Sequence, residues 1–270
     1  MSERGPRRLA PSWREKIWGS TDLSPLFPAA DRRIGEIWYT APDFPLLTKF
    51  LFTSEKLSVQ VHPDDAYARE HEGGRGKTEM WYVVRADPGA AVALGLTEPL
   101  PPDRLRQVAL SGEIARCLNW VEVHPGDAIF LPAGTVPTIG PGLALCEIQQ
   151  HSDLTYRFFD YGRSRPLHIE QAVAVARMER HHGPQEPEPF SHGGVDGETL
   201  VRCQYFTVDR LRVRTVVSYA PDAPGAQVLI LLEGRGKLGG ESYQRGDVFL
   251  VTSPLQWRPE EPTLALRTYE

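Results

Sequence analysis

LSVQVHPDDAYAREHEGGRGKTEMWY, residues 57–82, holds two short runs of strand-like sequence around a polar, glycine-rich connection. Side chains two apart on a strand share a face. Gln60 and His62 therefore point one way, and Val59 and Val61 the other. Pro63, Asp64 and Asp65 stop the first run, and Gly73, Gly74 and Gly76 bring the chain round. It re-enters with Lys77 and Glu79 on one face. An amide, an imidazole, an ammonium and a carboxylate can thus meet in one small volume, the composition of a metal site with a charged partner. The plainer alternative is a half-exposed strand face with a Lys77–Glu79 ion pair, since a buried carboxylate needs a partner.

The flanking sequence has the same character. Strands are predicted over 35–39, 46–53, 79–85, 91–96, 121–127, 128–131, 143–150 and 155–160, with turn residues between them. That spacing indicates an all-β sandwich or barrel rather than an alternating α/β fold. Short helices are predicted over 103–111 and 113–118, and a longer one over 168–178, where Ile169, Ala172, Val173 and Ala176 mark one face. Residues 183–197 read as a linker, and further strands are predicted over 205–211, 214–219, 228–232 and 247–252. The run from Val123 through Gly126, Asp127 and Leu131 is echoed from Tyr243 through Gly246, Asp247 and Val251. Two related β-units are expected: residues 1–165 with a loosely held N-terminal arm, a helix and linker over 166–199, and a smaller unit over 200–270. The second unit has no equivalent of Gln60, His62 or Glu79 and is expected to be structural.

Composition narrows the class. At 270 residues the chain can bury a sizeable core. A net charge of −5 without a dense basic run argues against nucleic-acid binding, and Arg7 and Arg8 read as solvated tail. No stretch of apolar residues is long enough to span a membrane, and no secretory signal is evident. Cys117, Cys146 and Cys203 are widely spaced and odd in number, which fits a reducing, cytoplasmic setting, with Cys146 buried rather than nucleophilic. The His181–His182 pair reads as a solvated helix end, and Gly234 to Gly236 as a turn rather than a phosphate loop.

A second charged cluster follows. Glu147 lies in an apolar strand, and Arg157 precedes two phenylalanines. On pattern alone Arg157 is either a structural partner of Glu147 or Asp153, or an anion binder. The motifs at 60–65, 76–82, 132–136 and 147–157, extended by 16–19, 35–36 and 165–170, together resemble the type I mannose-6-phosphate isomerases in their short bacterial form. The resemblance implies a cupin (jelly-roll) fold with a second, degenerate cupin and a few helices. It implies a divalent metal, normally Zn²⁺, one per chain, with Gln60, His62 and Glu79 as ligands. It implies Arg157 as a catalytic residue with Lys77 and Glu147 in the same pocket, and a sugar phosphate as the small-molecule partner. The implied reaction interconverts mannose 6-phosphate and fructose 6-phosphate. A cation must stabilise the enediolate oxygens, a base must take the carbon-bound proton, and a cation must hold the phosphate. Arg157 is expected on charge stabilisation or phosphate, and Glu147 on proton transfer.

The chain departs from the family at one position. The family motif ends Pro-Ala-Gly-Thr-Val-His, and its histidine is a ligand; here Pro137 stands in its place. His124 or His151 could substitute, or the site could keep three protein ligands and bind zinc substoichiometrically. The alternative is a non-catalytic cupin that binds a sugar phosphate or a protein partner. The sequence does not set the oligomeric state.

Overall fold

The computed structural model describes residues 5–270 apart from 43, 180, 193–194 and 222–224. The first four residues of the expected arm and residues 193–194 of the expected linker lie outside the described residues. Among the described residues, no helix is long and apolar enough to cross a membrane.

Two antiparallel β-barrels stand back to back. In the first, a six-stranded sheet runs in the order Ser12–Ser20, Ile34–Tyr39, Leu46–Thr53, Leu143–Gln150, Glu79–Ala86, Ala128–Leu131. It faces a three-stranded sheet of Pro137–Ile139, Ala91–Leu96 and Leu118–Glu122, while Val59–Val61 pairs with Tyr156–Phe159. In the second barrel a seven-stranded sheet faces a four-stranded one. The two large sheets pack against each other through Phe50, Phe52, Met80, Cys146 and Ile148 from the first barrel and Phe206, Val208, Val228, Ile230 and Leu266 from the second. Alternation sends the other residues of the same strands, such as Leu51, Val83 and Leu145, into the first barrel's interior. Strands Leu46–Thr53 and Leu143–Gln150 are buried at every position, polar residues such as Lys49 and Glu147 included.

The echo seen in the sequence is one turn built twice. The His124 and Gln244 amides each donate to an aspartate carboxylate at 2.8 Å, Asp127 and Asp247 respectively. Gly126 and Gly246 have φ of +98° and +85°, and their N–H groups donate to Val83 and Leu231 carbonyls at 2.8 and 2.7 Å. Glycine is needed at both positions because that conformation penalises a Cβ. The registers that follow align Val83 with Leu231, Glu79 with Gln227, Glu147 with Arg267, Lys49 with Asp209 and Ile139 with Trp257.

Four expectations are corrected. The arm is not loose: Arg7–Arg8 pairs with Val248–Val251 of the second barrel, Leu9 is buried in the core between the barrels, and Ser12–Ser20 then joins the first barrel. The predicted linker carries strand Glu188–His192 and the start of Val195–Arg202, which complete the seven-stranded sheet. The polar connection after Pro63 is a helix, Asp65–His71, capped by the Asp64 carboxylate on the Tyr67 amide; the Pro-Asp-Asp run was its legible signal. The third helix stops at Val175, so His181 is not a helix end: it is half-buried and its Nε2 meets the Phe130 carbonyl at 2.6 Å.

Candidate active site

Two tight devices bring the halves of the 57–82 stretch together. Gly76 passes so close to Asp64 that an added Cβ would lie 2.4 Å from its carbonyl carbon. The Gly76 amide donates to Asp65 Oδ1 at 2.8 Å and the Lys77 amide to the Pro63 carbonyl at 2.9 Å. Gln150 joins both segments, accepting from the Thr78 amide and donating to Asp65.

The result is a buried charge cluster on the inner wall of the first barrel. Lys77 Nζ lies 2.5 Å from Glu79 Oε2, 3.3 Å from His62 Nε2 and 3.8 Å from Glu147 Oε1. Glu147 is also held by Lys49 Nζ at 2.9 Å and by the Trp81 indole N–H at 3.0 Å. His62, Lys77, Glu79, Glu147 and Lys49 are all at least nine-tenths buried. Burial would raise the Glu147 carboxyl's pKa, but Lys49 and Lys77 outweigh it and hold it at about 2. Glu79 goes the other way, to about 7, because burial and the Glu147 charge exceed what Lys77 returns. Burial and the Lys77 ammonium keep the His62 imidazole well below its usual range.

Gln60 and Arg157 face each other in the register of their short strand pair. The Arg157 guanidinium donates to Ser58 Oγ at 3.3 Å and to the Pro166 carbonyl at 2.8 Å. It has no carboxylate partner among the described residues, so the ion pair with Glu147 or Asp153 does not form. Gln60, Lys77, Glu147 and Arg157 all line one 390 Å³ cavity, a size typical of small-molecule sites. Lys49 also lines it and was not singled out from the sequence. Its legible signal was a lone lysine inside an apolar strand, a position that requires a buried counter-charge.

The donor set suits a divalent metal in part. His62 Nδ1 meets the Leu154 carbonyl at 2.8 Å, which leaves the Nε2 lone pair to Lys77 Nζ at 3.3 Å, with Glu79 Oε2 beyond at 3.9 Å. Glu79 Oε2 is taken by Lys77 Nζ at 2.5 Å, whereas Oε1 is buried with no hydrogen-bond partner. A carboxylate with an unpartnered buried oxygen near an imidazole nitrogen suits two of the expected ligands, with Lys77 Nζ lying between them, and Gln60 lines the same cavity as Lys77. Among the described residues no group of three or more His, Cys, Asp or Glu side chains is arranged so that it could hold a metal ion. Pro137, the residue at the family's fourth-ligand motif position, is buried on the strand opposite Leu94 and offers no donor atom. His124 and His151 do not replace it, because both are exposed, His124 at a turn beside Asp127.

The second barrel has no such cluster at the matching positions. Gln227, Trp257 and the Asp209–Arg267 pair fill its interior, with the Trp257 indole donating to Tyr243 Oη at 3.0 Å. One barrel with a polar reaction-type cavity and a second that is filled define a paired cupin with a single candidate site. No protein-family model matches the chain. It is 39% identical to the mannose-6-phosphate isomerase of Streptococcus mutans over 79% of this chain and 70% of that protein. It is 31% identical to the mannose-6-phosphate isomerase ManA of Bacillus subtilis over 91% and 92% of the two chains. The crystal structure of a Bacillus subtilis mannose 6-phosphate isomerase superposes with a TM-score of 0.88 at 28% identity, covering 99% of this chain and all of that one. A zinc-bound mannose 6-phosphate isomerase shares the fold at a TM-score of 0.76 and 16% identity, covering 99% of this chain. The chain belongs to the mannose-6-phosphate isomerase family.

Proposed function

We propose that this protein interconverts mannose 6-phosphate and fructose 6-phosphate, with Gln60, His62 and Glu79 as the protein ligands of one zinc ion. The observation that carries the reading is the meeting of Lys77, which lines the cavity with Glu147, with the buried His62 and Glu79 behind it. Zinc, when bound, would polarise the sugar oxygens that become the enediolate. Lys77 sits where it can stabilise that charge and give a proton to one of the oxygens. Glu147 is poorly suited to the proton transfer expected of it. Both its oxygens are engaged by Lys49, Trp81 and Lys77, and its proton affinity is low. We assign it instead to holding the two lysines charged and in place. Arg157, free of carboxylates, serves the phosphate or the enediolate charge. A cytoplasmic setting suits the three free cysteines.

Pro137 favours a second reading, a cupin that binds a sugar phosphate without turning it over. The two are separated by measuring zinc content and the coupled conversion of mannose 6-phosphate on one preparation. The isomerase reading expects substoichiometric zinc and turnover that rises with added Zn²⁺. Absence of turnover in excess Zn²⁺, with the circular dichroism of a folded β protein, would refute it.

A further inference from the structure

We infer that the N-terminal strand Ser12–Ser20 supplies the phosphate clamp of this site, with Arg14 as its principal cation. The inference rests on the isomerase reading only for the identity of the sugar.

The cations lining the cavity separate by what already neutralises them. Lys49 and Lys77 belong to Glu147 and Glu79. Arg165 is engaged by Asp160, its Nε donating at 2.7 Å. Lys16 lies 3.2 Å from Glu36. Among the described residues, Arg14 and Arg157 are the cavity-lining cations with no carboxylate in ion-pair range. A phosphate monoester dianion needs charge of this kind, and a guanidinium can meet it with two parallel N–H bonds.

Arg14 is held for the task without being neutralised. Its guanidinium carbon lies 3.5 Å from the centroid of the Trp38 ring, a cation–π contact that leaves the N–H edge available. Trp38 is fixed in turn by its indole N–H on Glu36 Oε2 at 2.9 Å, and Lys49 lies 4.4 Å from the same ring. The wall that carries Arg14 therefore continues into the buried lysine–glutamate cluster. Trp18, on the same strand, is buried in the barrel core, so the strand runs from the cavity into the core. Its other end is tied to the second barrel, where Arg7 and Arg8 pair with Leu250 and Phe249 and the Leu9 amide donates to the Val248 carbonyl at 2.8 Å. The filled barrel thereby anchors the strand that presents Arg14.

The test compares Arg14→Gln, Arg14→Lys and a distant control, Arg235→Gln, all as full-length protein. Inorganic phosphate binding is measured by calorimetry, and KM and kcat for mannose 6-phosphate are measured alongside. Arg14→Gln is expected to weaken phosphate binding about tenfold or more, the loss of roughly one charge-assisted hydrogen bond. KM should rise by a similar factor with kcat little changed, Arg14→Lys should recover part of the loss, and Arg235→Gln should match wild type. The inference is overturned if Arg14→Gln binds phosphate as wild type does, if the control loses as much, or if wild type binds no phosphate at millimolar concentration. Phosphate binding needs no turnover. A wild-type protein that binds phosphate through Arg14 yet never converts mannose 6-phosphate would refute the isomerase reading alone.

Discussion

Glu147 and Arg267 occupy the same register position in the two barrels and carry opposite charges. Each lies on the strand between the two long strands it pairs with, Glu147 across from Trp81 and Lys49, Arg267 across from Leu229 and Asp209. Their partners are reversed to match, Lys49 at 2.9 Å and Asp209 at 2.7 Å, so one buried ion pair appears twice with its charges exchanged. In the first barrel Lys77 adds a second ammonium and the cavity opens beside it; in the second, Phe190 and Tyr269 rings lie 5.6 and 5.2 Å from the Arg267 guanidinium.

Removing one partner of a buried pair costs roughly 3–5 kcal/mol because the other charge is stranded. Asp209→Ala is expected to lower the unfolding free energy, measured by urea denaturation, by that order, and Lys49→Ala by less, because Lys77 and Trp81 still hold Glu147. Their effects on catalysis should differ: Asp209→Ala protein that is still folded keeps its kcat, whereas Lys49→Ala loses most of it. Equal losses of kcat in the two variants would contradict the division of labour between the barrels.

Pro137→His should restore a fourth donor. Zinc affinity, followed by competition with a chromophoric chelator, is expected to rise by at least about tenfold, with activity at limiting Zn²⁺ rising alongside. If neither changes in a folded variant, position 137 does not face the metal.

Gly76→Ala tests how Lys77 and Glu79 are delivered. The new methyl would collide with the Asp64–Asp65 backbone, which cannot withdraw as a flexible side chain could. Lower zinc uptake and a loss of roughly 1–3 kcal/mol in stability are expected from such overpacking. Wild-type values for both would show that the helix Asp65–His71 shifts freely, which its cap and hydrogen bonds argue against.

His181 gives the protein an acid-sensitive contact. Burial, with His182 nearby, lowers its pKa, against the opposing pull of the Phe130 carbonyl. The unfolded chain therefore binds the proton first as pH falls below about 6.5. The stability this histidine contributes is complete above that pH and is lost as pH falls toward the folded-state value. Urea midpoints measured from pH 8 to pH 5 should fall less steeply in His181→Gln than in wild type. His62 shifts in the same direction, so part of the slope should remain; superimposable slopes would count against His181.

What lay within a few residues of chain was legible. Alternation put Gln60 with His62 and Lys77 with Glu79, glycines marked the reversal between them, and most strands up to residue 160 fell where β-type runs and turn residues placed them. The repeated Gly-Asp turn exposed the second β-unit because its hydrogen bonds are local. Even the helix after Pro63 had an N-cap that could have been read. By itself the sequence thus determined an all-β chain, a set of candidate ligands sharing one face and a proline where a donor is expected. Only the tertiary structure decided that Lys49 reaches Glu147 across 98 residues, that Arg157 has no carboxylate partner among the described residues, that Trp257 fills the second barrel and that the N-terminal arm is tied across both barrels. Those facts depend on which strands pair and in what register, and that choice follows from packing two large sheets against each other, which no short window of sequence contains.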